Sequence, residues 1–503
     1  MPARFHVEHF GCRAARADGE AIAERLRASG LAESQPTLAD VVIVNTCSVT
    51  AEADRQARAF IRRARRRNPA ARILVTGCYA QRAPDELAAI PGVSAVVGNS
   101  HKALAPGIAL SLANASAAQQ QANALVQIQS AQAAPALPQL ILADDTFAHS
   151  FLEEARLTPG AQTRPNLKIQ EGCSNRCSFC VIPQTRGSSR SLPAAQILAR
   201  VHEFVADGGN ELVFSGINLG RWGRDLTPTP GLPRPTLAAL VRLILESTSL
   251  PRLRLSSIEP MDWDADLLAV LHDFSGNGEP GSPATGPHRW GARIAPHAHL
   301  PLQSGSDSVL RRMHRRYRPW HYRQKVAGLL RALGPDLTLG ADVMAGFPGE
   351  TDSEFAETLA LIRALPFGYL HLFPFSPRPN TRAWALHAAH PVPAAIVDER
   401  MVALRQLAQE KSLAHRRRFL GRTLPAISLH TPPALAAFAR TAALTANFLP
   451  IELDAVLPAN QLLSVHVTAL NADGVLRATV AAPIPAAPVP APQPTIPAAL
   501  AAV

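Results

Sequence analysis

Apolar and polar positions recur with two different periods along this chain, and the switching between them predicts repeated strand–loop–helix units. Residues 5–10 (FHVEHF) alternate like a half-exposed strand. Val41-Val42-Ile43-Val44 is an unbroken apolar run, the mark of a parallel strand buried on both faces. A third strand is read at 72–76 (RILVT). Helical periodicity lies between them at 20–29, where Ile22 and Leu26 share a face, and at 51–67, ending before Pro69. Residues 1–110 are thus expected to form an α/β domain on a parallel sheet.

The pattern then lapses. Residues 111–162 form a linker, rich in Ala and Gln in part, with Pro135 and Pro138, and the stretch 111–138 is expected to be part helical or disordered. It resumes over 163–387, where strands at 211–215, 252–257, 297–301, 337–342 and 370–376 each run into a polar loop and then a helical stretch. Polar residues gather where these strands end, which is where barrel enzymes keep their sites. The Gly/Pro-rich stretch 276–291 reads as an insertion. Residues 388–420 are a connecting helix, and short β-like runs over 421–480 fit a small antiparallel barrel. The Pro- and Ala-rich tail 481–503 is expected to be disordered.

Composition narrows the class. A chain of 503 residues can bury several cores, and a net charge of +11 points to an anionic partner such as nucleic acid. Basic and aromatic residues interleave over 311–320 (RRMHRRYRPW), a pattern suited to phosphates and unpaired bases. No signal peptide or membrane span is read, so the protein is expected to be cytoplasmic. Six cysteines are too few for a disulfide scaffold at this length, and metal binding is the better account.

Those cysteines fall into two sets of three. Cys173, Cys177 and Cys180 share one loop after the strand-like stretch 167–171, at C-x3-C-x2-C spacing. Four sulfurs would close a zinc site, whereas three leave a coordination position open. A zinc knuckle stays open on spacing alone, although His202 lies at no usual zinc distance. Cys12, Cys47 and Cys78 each follow the carboxyl end of a predicted strand, the edge of a parallel sheet where ligands bind. Three such strands can bring distant thiols to one point. Three separate buried thiols would be the bland alternative.

The loop Gly172-Cys173-Ser174-Asn175-Arg176-Cys177-Ser178-Phe179-Cys180, with Val181-Ile182-Pro183 and Thr185-Arg186-Gly187 after it, resembles that of the radical S-adenosylmethionine (SAM) methylthiotransferases. The Gly11-Cys12, Asn45-Thr46-Cys47 and Gly77-Cys78 arrangement is similar to that family's N-terminal domain, with Ala15 standing where an asparagine is usual. The resemblance implies two 4Fe–4S clusters, an auxiliary one on Cys12, Cys47 and Cys78 and a radical SAM one on Cys173, Cys177 and Cys180. It implies the fold as well: a parallel-sheet α/β N-terminal domain, a partial (β/α)6 radical SAM barrel, and a C-terminal TRAM-like β-barrel for RNA. By position, Phe179, Asn218, Ser257, Glu259, Gln303 and Asp342 are candidate SAM contacts.

The activity so implied is insertion of a methylthio group at an unactivated C–H bond, using one SAM as methyl donor and a second as radical source. The stretches 169–173 (IQEGC), 216–223 (GINLGRWG) and 255–260 (LSSIEP) look most like the group that modifies C2 of N6-threonylcarbamoyladenosine in the tRNA anticodon loop. Isopentenyladenosine in tRNA and an aspartate of a ribosomal protein are the alternatives within the family. A non-catalytic, zinc-containing RNA-binding protein is the alternative outside it. An electron donor such as flavodoxin or ferredoxin would be a further partner.

Overall fold

In the computed structural model the apolar run at Val41–Val44 becomes the middle of a six-stranded sheet. The structure describes residues 2–11, 13–125, 140–147, 157, 164–228, 233–276 and 293–483. Cys12, most of the expected linker, the expected 276–291 insertion and most of the tail therefore lie outside the described residues. The chain divides into two units, Met1–Arg156 with Glu171–Asn175 and Cys180–Ser189, and Leu157–Gln170 with Arg176–Phe179 and Arg190–Val503.

In the first unit β1 (Arg4–His9), β2 (Ala32–Glu33), β3 (Val41–Thr46), β4 (Arg72–Gly77), β5 (Val93–Gly98) and β6 (Leu140–Leu142) pair in parallel, in the order β2-β1-β3-β4-β5-β6. Alternate residues of β3 serve opposite faces. Val42 and Val44 pack with Phe60, Ile61, Val75 and Tyr79, while Val41 and Ile43 pack with Phe5, Ile22, Leu26 and Leu74. Each such side chain contributes roughly 1.5–3 kcal/mol on burial, so a polar residue is costly at any of these positions. That is why the run has no alternation.

The first helix spans Arg13–Ala28, seven residues earlier than its periodicity suggested. Its first turns are built on Ala14 and Ala15, both buried, and alanine is too small to mark a face. The next helix, Ala51–Arg67, is capped by Thr50, whose hydroxyl accepts the Ala53 N–H at 3.2 Å. The helix Ala105–Leu125 runs on past position 110, and β6 adds to the sheet edge beside β5. Alanine-rich sequence has high helix propensity, so this helix takes up the start of the stretch expected to be part helical.

In the second unit β7 (Asn166–Glu171, all but its last residue), β8 (Arg190–Ser191), β9 (Glu211–Gly216) and β10 (Arg252–Leu255) form a sheet ordered β10-β9-β7-β8. A second sheet is β11 (His297–His299), β12 (Thr338–Ala345) and β13 (Phe367–Pro374), parallel throughout. Parallel bridges Leu253↔Ile294 and Ser257↔His299 join the two. The result is the series β7-β9-β10-β11-β12-β13, a partial (β/α)6 barrel.

The C-terminal strands β14 (Thr423–Ser428), β15 (Thr441–Thr445), β16 (Pro450–Leu453), β17 (Leu462–Leu470) and β18 (Leu476–Pro483) close a barrel in the order β14-β15-β16-β18-β17. Leu424, Ile451, Val465, Val467 and Leu476 fill it. The expected all-antiparallel arrangement needs correcting, because β16 and β18 run parallel. A closed ring with an odd number of strands must contain at least one parallel pair. The last strand also carries the chain to Pro483, so ordered structure extends past the 480 boundary.

Candidate metal-cluster and cofactor site

Strands β1, β3 and β4 are neighbours and parallel, so their carboxyl ends lie along one edge of the first sheet. Cys47 follows the last residue of β3, and Cys78 follows the last residue of β4. Gly11, two residues beyond β1, sits against Cys47. A Cβ on Gly11 would come within 2.4 Å of the Cys47 Cβ and 2.6 Å of its Sγ, and its φ of +105° also requires glycine. Cys12 itself lies outside the described residues. The sheet thus brings Cys47 beside the residue that precedes Cys12.

Both described thiols of this set are buried and accept N–H groups. Cys47 Sγ accepts the Val49 N–H at 3.5 Å. Cys78 Sγ accepts Asn99 Nδ2 at 3.4 Å and Arg186 Nε at 3.2 Å. Arg186 belongs to a buried group of four charges. Its Nη1 donates to Glu171 Oε1 at 2.6 Å and Asp18 Oδ2 at 3.1 Å. Lys102 Nζ donates to the same two carboxylates, at 2.7 Å to Asp18 Oδ2 and 3.4 Å to Glu171 Oε2. All four side chains are at most 1% exposed. Isolated, any one of them would be expelled from such a place, so the tetrad exists only as a set.

The second cysteine set lies on the loop after β7 and is half-buried. Gly172 makes the turn with φ +69°, and a Cβ there would meet the Ser188 carbonyl oxygen at 2.0 Å. The Cys173 N–H donates to the Gly187 carbonyl at 3.0 Å, and Cys173 Sγ accepts the Asn175 N–H at 3.4 Å. Further along, the Ser178 N–H donates to Met313 O at 3.1 Å, and Ser178 O accepts the Ala383 N–H at 2.8 Å. Cys177 Sγ accepts Arg315 Nη1 at 3.3 Å. Desolvation would lower the Arg315 pKa, but the Tyr317 hydroxyl oxygen, which accepts Arg315 Nε at 3.2 Å, together with the negative potential of Glu259 and Cys177, outweighs it and raises the pKa. Among the described residues, Cys47, Cys78, Cys173, Cys177 and Cys180 form no disulfide with one another.

The other candidate residues are placed as follows. Phe179 meets Phe347 edge-on, with ring centroids 6.4 Å apart. The Asn218 N–H donates to Gln170 Oε1 at 2.7 Å. Gln303 holds an unusual φ of +63°, its N–H donating to Asp342 O at 2.7 Å. Glu259 is buried at the start of a 3-10 turn and faces Arg315 electrostatically. Ser257 and Asp342 meet through a histidine. His299 Nδ1 lies 3.0 Å from Ser257 Oγ, and its Nε2 lies 3.4 Å from Asp342 Oδ1, which is also 3.3 Å from His371 Nδ1. Burial would raise the Asp342 pKa, but the two histidines more than offset this and hold the carboxylate well below its usual range.

Within the stretch 311–320, Arg311, His314, Arg316 and Trp320 are exposed and the other residues are partly or fully buried. Met313 and Tyr317 are fully buried, and Tyr317 Oη donates to Pro301 O at 2.7 Å. Arg312 pairs with Glu354, Arg316 with Asp262 and Arg318 with Asp307, at 2.7, 3.2 and 3.0 Å. Arg315 faces a cysteine. Only Trp320 remains as a large exposed aromatic of this stretch. Sequence reasoning also passed over Arg186, Lys102, Asp18, Glu171, His299 and His371. One signal was available, since Arg186 and Glu171 flank the cysteine loop and Lys102 is one of only four lysines.

Comparison with known proteins follows the same lines. Residues 4–98 match the model of the uncharacterized protein family UPF0004. A threonylcarbamoyladenosine tRNA methylthiotransferase MtaB from Thermotoga maritima is 32% identical over 417 residues, covering 83% of this chain and 84% of that one. Its counterpart from Rickettsia prowazekii is 32% identical over 93% of this chain and 96% of its own. A tRNA-2-methylthio-N(6)-dimethylallyladenosine synthase from Parafrankia is 33% identical over 83% and 76%. In fold, the chain is similar to a radical S-adenosylmethionine methyltransferase, TsrM, from Kitasatospora setae, with a TM-score of 0.51, 14% identity, and coverage of 76% of this chain and 77% of that one. With such relatives matched over most of their length, the chain belongs to the radical SAM methylthiotransferase family and is a transferase.

Proposed function

We propose that this enzyme methylthiolates C2 of N6-threonylcarbamoyladenosine beside the anticodon of tRNA. The observation that carries the reading is the presence of two separate cysteine triads, one spread over strand ends of a parallel sheet and one packed into a single loop. Cys12, Cys47 and Cys78 would hold one 4Fe–4S cluster, and Cys173, Cys177 and Cys180 the other. The donor set suits this. No disulfide joins the described cysteines to one another, and Cys47, Cys78, Cys173 and Cys177 accept N–H groups as ligand sulfurs do. When bound, the clusters and SAM supply one-electron chemistry, sulfur and a methyl group.

The chain's own residues orient and exclude. Arg315 steadies Cys177, and Ser178 is pinned on both sides by main-chain hydrogen bonds. Phe179, Asn218, Ser257, Glu259, Gln303 and Asp342 would contact SAM. Asp342, kept ionised by His299 and His371, suits a cationic or hydroxyl group of that ligand. The TRAM-like barrel and the excess of arginine favour binding to the phosphates of an anticodon loop, where an unpaired adenosine can enter a pocket. Electrons would come from a donor such as flavodoxin or ferredoxin. Among the described residues no helix is long and apolar enough to cross a membrane.

Mass spectrometry of tRNA nucleosides from a deletion strain tests the substrate. The methylthio form of N6-threonylcarbamoyladenosine is expected to vanish while its precursor accumulates. Loss of methylthio-isopentenyladenosine, or of a modified ribosomal aspartate, with this pool unchanged would move the assignment to the corresponding relative.

A further inference from the structure

We infer that Arg186 is a positioning residue for the N-terminal sulfur site: it fixes Cys78 and sets how readily a cluster held there accepts an electron. This role rests on the reading that Cys12, Cys47 and Cys78 hold a cluster.

The geometry is specific. The guanidinium is 0% exposed and aims Nε at Cys78 Sγ, 3.2 Å away, while Nη1 is held by Asp18 and Glu171. A planar guanidinium anchored at one edge cannot turn away from the sulfur at the other. Lys102 binds the same two carboxylates, which balances the tetrad at two positive and two negative charges. Without Lys102 the carboxylates would carry an uncompensated charge beside a thiolate. Asn99 supplies a second N–H to Cys78 Sγ and also donates to Thr185 O at 2.8 Å, so the segment holding Arg186 is fastened twice. Glu171, at the other end of the guanidinium, adjoins Gly172-Cys173. One side chain therefore ties a sulfur of the first triad to the entry of the second triad's loop.

An N–H donated to a ligand sulfur draws electron density from it, and a nearby cation favours the reduced, more negative cluster. Both effects raise the reduction potential. A merely structural tetrad would not act through the Nε–sulfur contact, and that difference is measurable. Lys102 shares the tetrad and its charge with Arg186, whereas the Nε–Cys78 contact belongs to Arg186.

The test uses the full-length chain, reconstituted with iron and sulfide, with Cys173, Cys177 and Cys180 changed to alanine so that only the N-terminal cluster is present. Its reduced fraction is read by electron paramagnetic resonance at a series of poised potentials. Arg186→Gln is expected to shift the reduction equilibrium about tenfold toward the oxidised cluster, about 59 mV for a one-electron couple. Lys102→Met should shift it clearly less, and Arg186→Lys should restore part of the change. Loss of the iron in Arg186→Gln but not in Lys102→Met would support the fixing role equally. Equal shifts in Arg186→Gln and Lys102→Met, no shift with the cluster intact, or loss of iron in all three variants would overturn the inference. A parent chain that takes up no iron at all would instead overturn the cluster reading on which it rests.

Discussion

Each unit of the molecule buries a cluster of charged side chains, and the two clusters differ in what they touch. In the first unit Asp18, Glu171, Lys102 and Arg186 balance two against two, and the arginine spends its remaining edge on Cys78 Sγ. In the second, one carboxylate, Glu211, is shared by Arg254 at 2.9 Å, Arg252 at 3.1 Å and Arg164 at 3.9 Å. Burial would raise the Glu211 pKa, but the three guanidiniums pull it down to about 2. Desolvation, together with repulsion from Arg254, lowers that of Arg252 despite its pairing with Glu211. Arg254 donates Nη2 to Ala446 O at 3.0 Å and lies over the Phe448 ring, fastening the C-terminal barrel within its unit.

A buried ion pair gives little net stability by itself, since desolvation cancels most of the attraction. Its purpose is better read from the groups its members reach. The first cluster reaches a candidate metal ligand, and the second reaches a backbone carbonyl and a ring. Chemistry and scaffold can use the same device.

The sharpest way to break this comparison is through the cysteines. Changing Cys173, Cys177 and Cys180 together to alanine is expected to abolish cleavage of SAM to 5′-deoxyadenosine, with about half of roughly eight irons retained. Persisting 5′-deoxyadenosine in that variant would refute the radical assignment. Changing Cys12, Cys47 and Cys78 should also halve the iron, yet spare 5′-deoxyadenosine formation while stopping methylthiolated product. Equal loss of both activities in a folded variant would show that the triads are not independent.

The smallest effect is expected in the second charge cluster. Glu211→Gln should leave iron content unchanged and lower stability by about 3–5 kcal/mol, because three arginines lose their shared partner. The pH dependence carries a sign. The folded pKa of Glu211, about 2, lies below its ordinary value of 4.5, so its contribution is fully present above that value and is lost as pH falls toward 2. The shift corresponds to about 3 kcal/mol. Thermal unfolding followed from pH 5 to pH 2 should therefore fall more steeply in the parent than in Glu211→Gln. Parallel curves would show that Glu211 is not held as described.

Much of the fold, and the placing of Cys47 and Cys78 at strand ends, was legible in one dimension. Apolar runs such as Val41–Val44 predict strands because parallel pairing buries both faces, and a cysteine at the end of each run then falls on one sheet edge. The loop holding Cys173, Cys177 and Cys180 is local, so its spacing alone speaks. The extent of alanine-rich helices such as Ala105–Leu125 was not legible, because small side chains mark no face.

Charged residues were the least legible. Nothing near Arg315, Arg186 and Lys102 in sequence shows that they are buried or what they meet. Lys102 finds Asp18 across 84 residues and Arg186 finds Cys78 across 108. Ser257, His299, Asp342 and His371 likewise become a row only when neighbouring parallel strands set their register. Local spacing and periodicity belong to the chain itself, whereas the pairing of buried charges is settled by which distant segments share a low-dielectric interior, where an unpaired charge is too costly to keep.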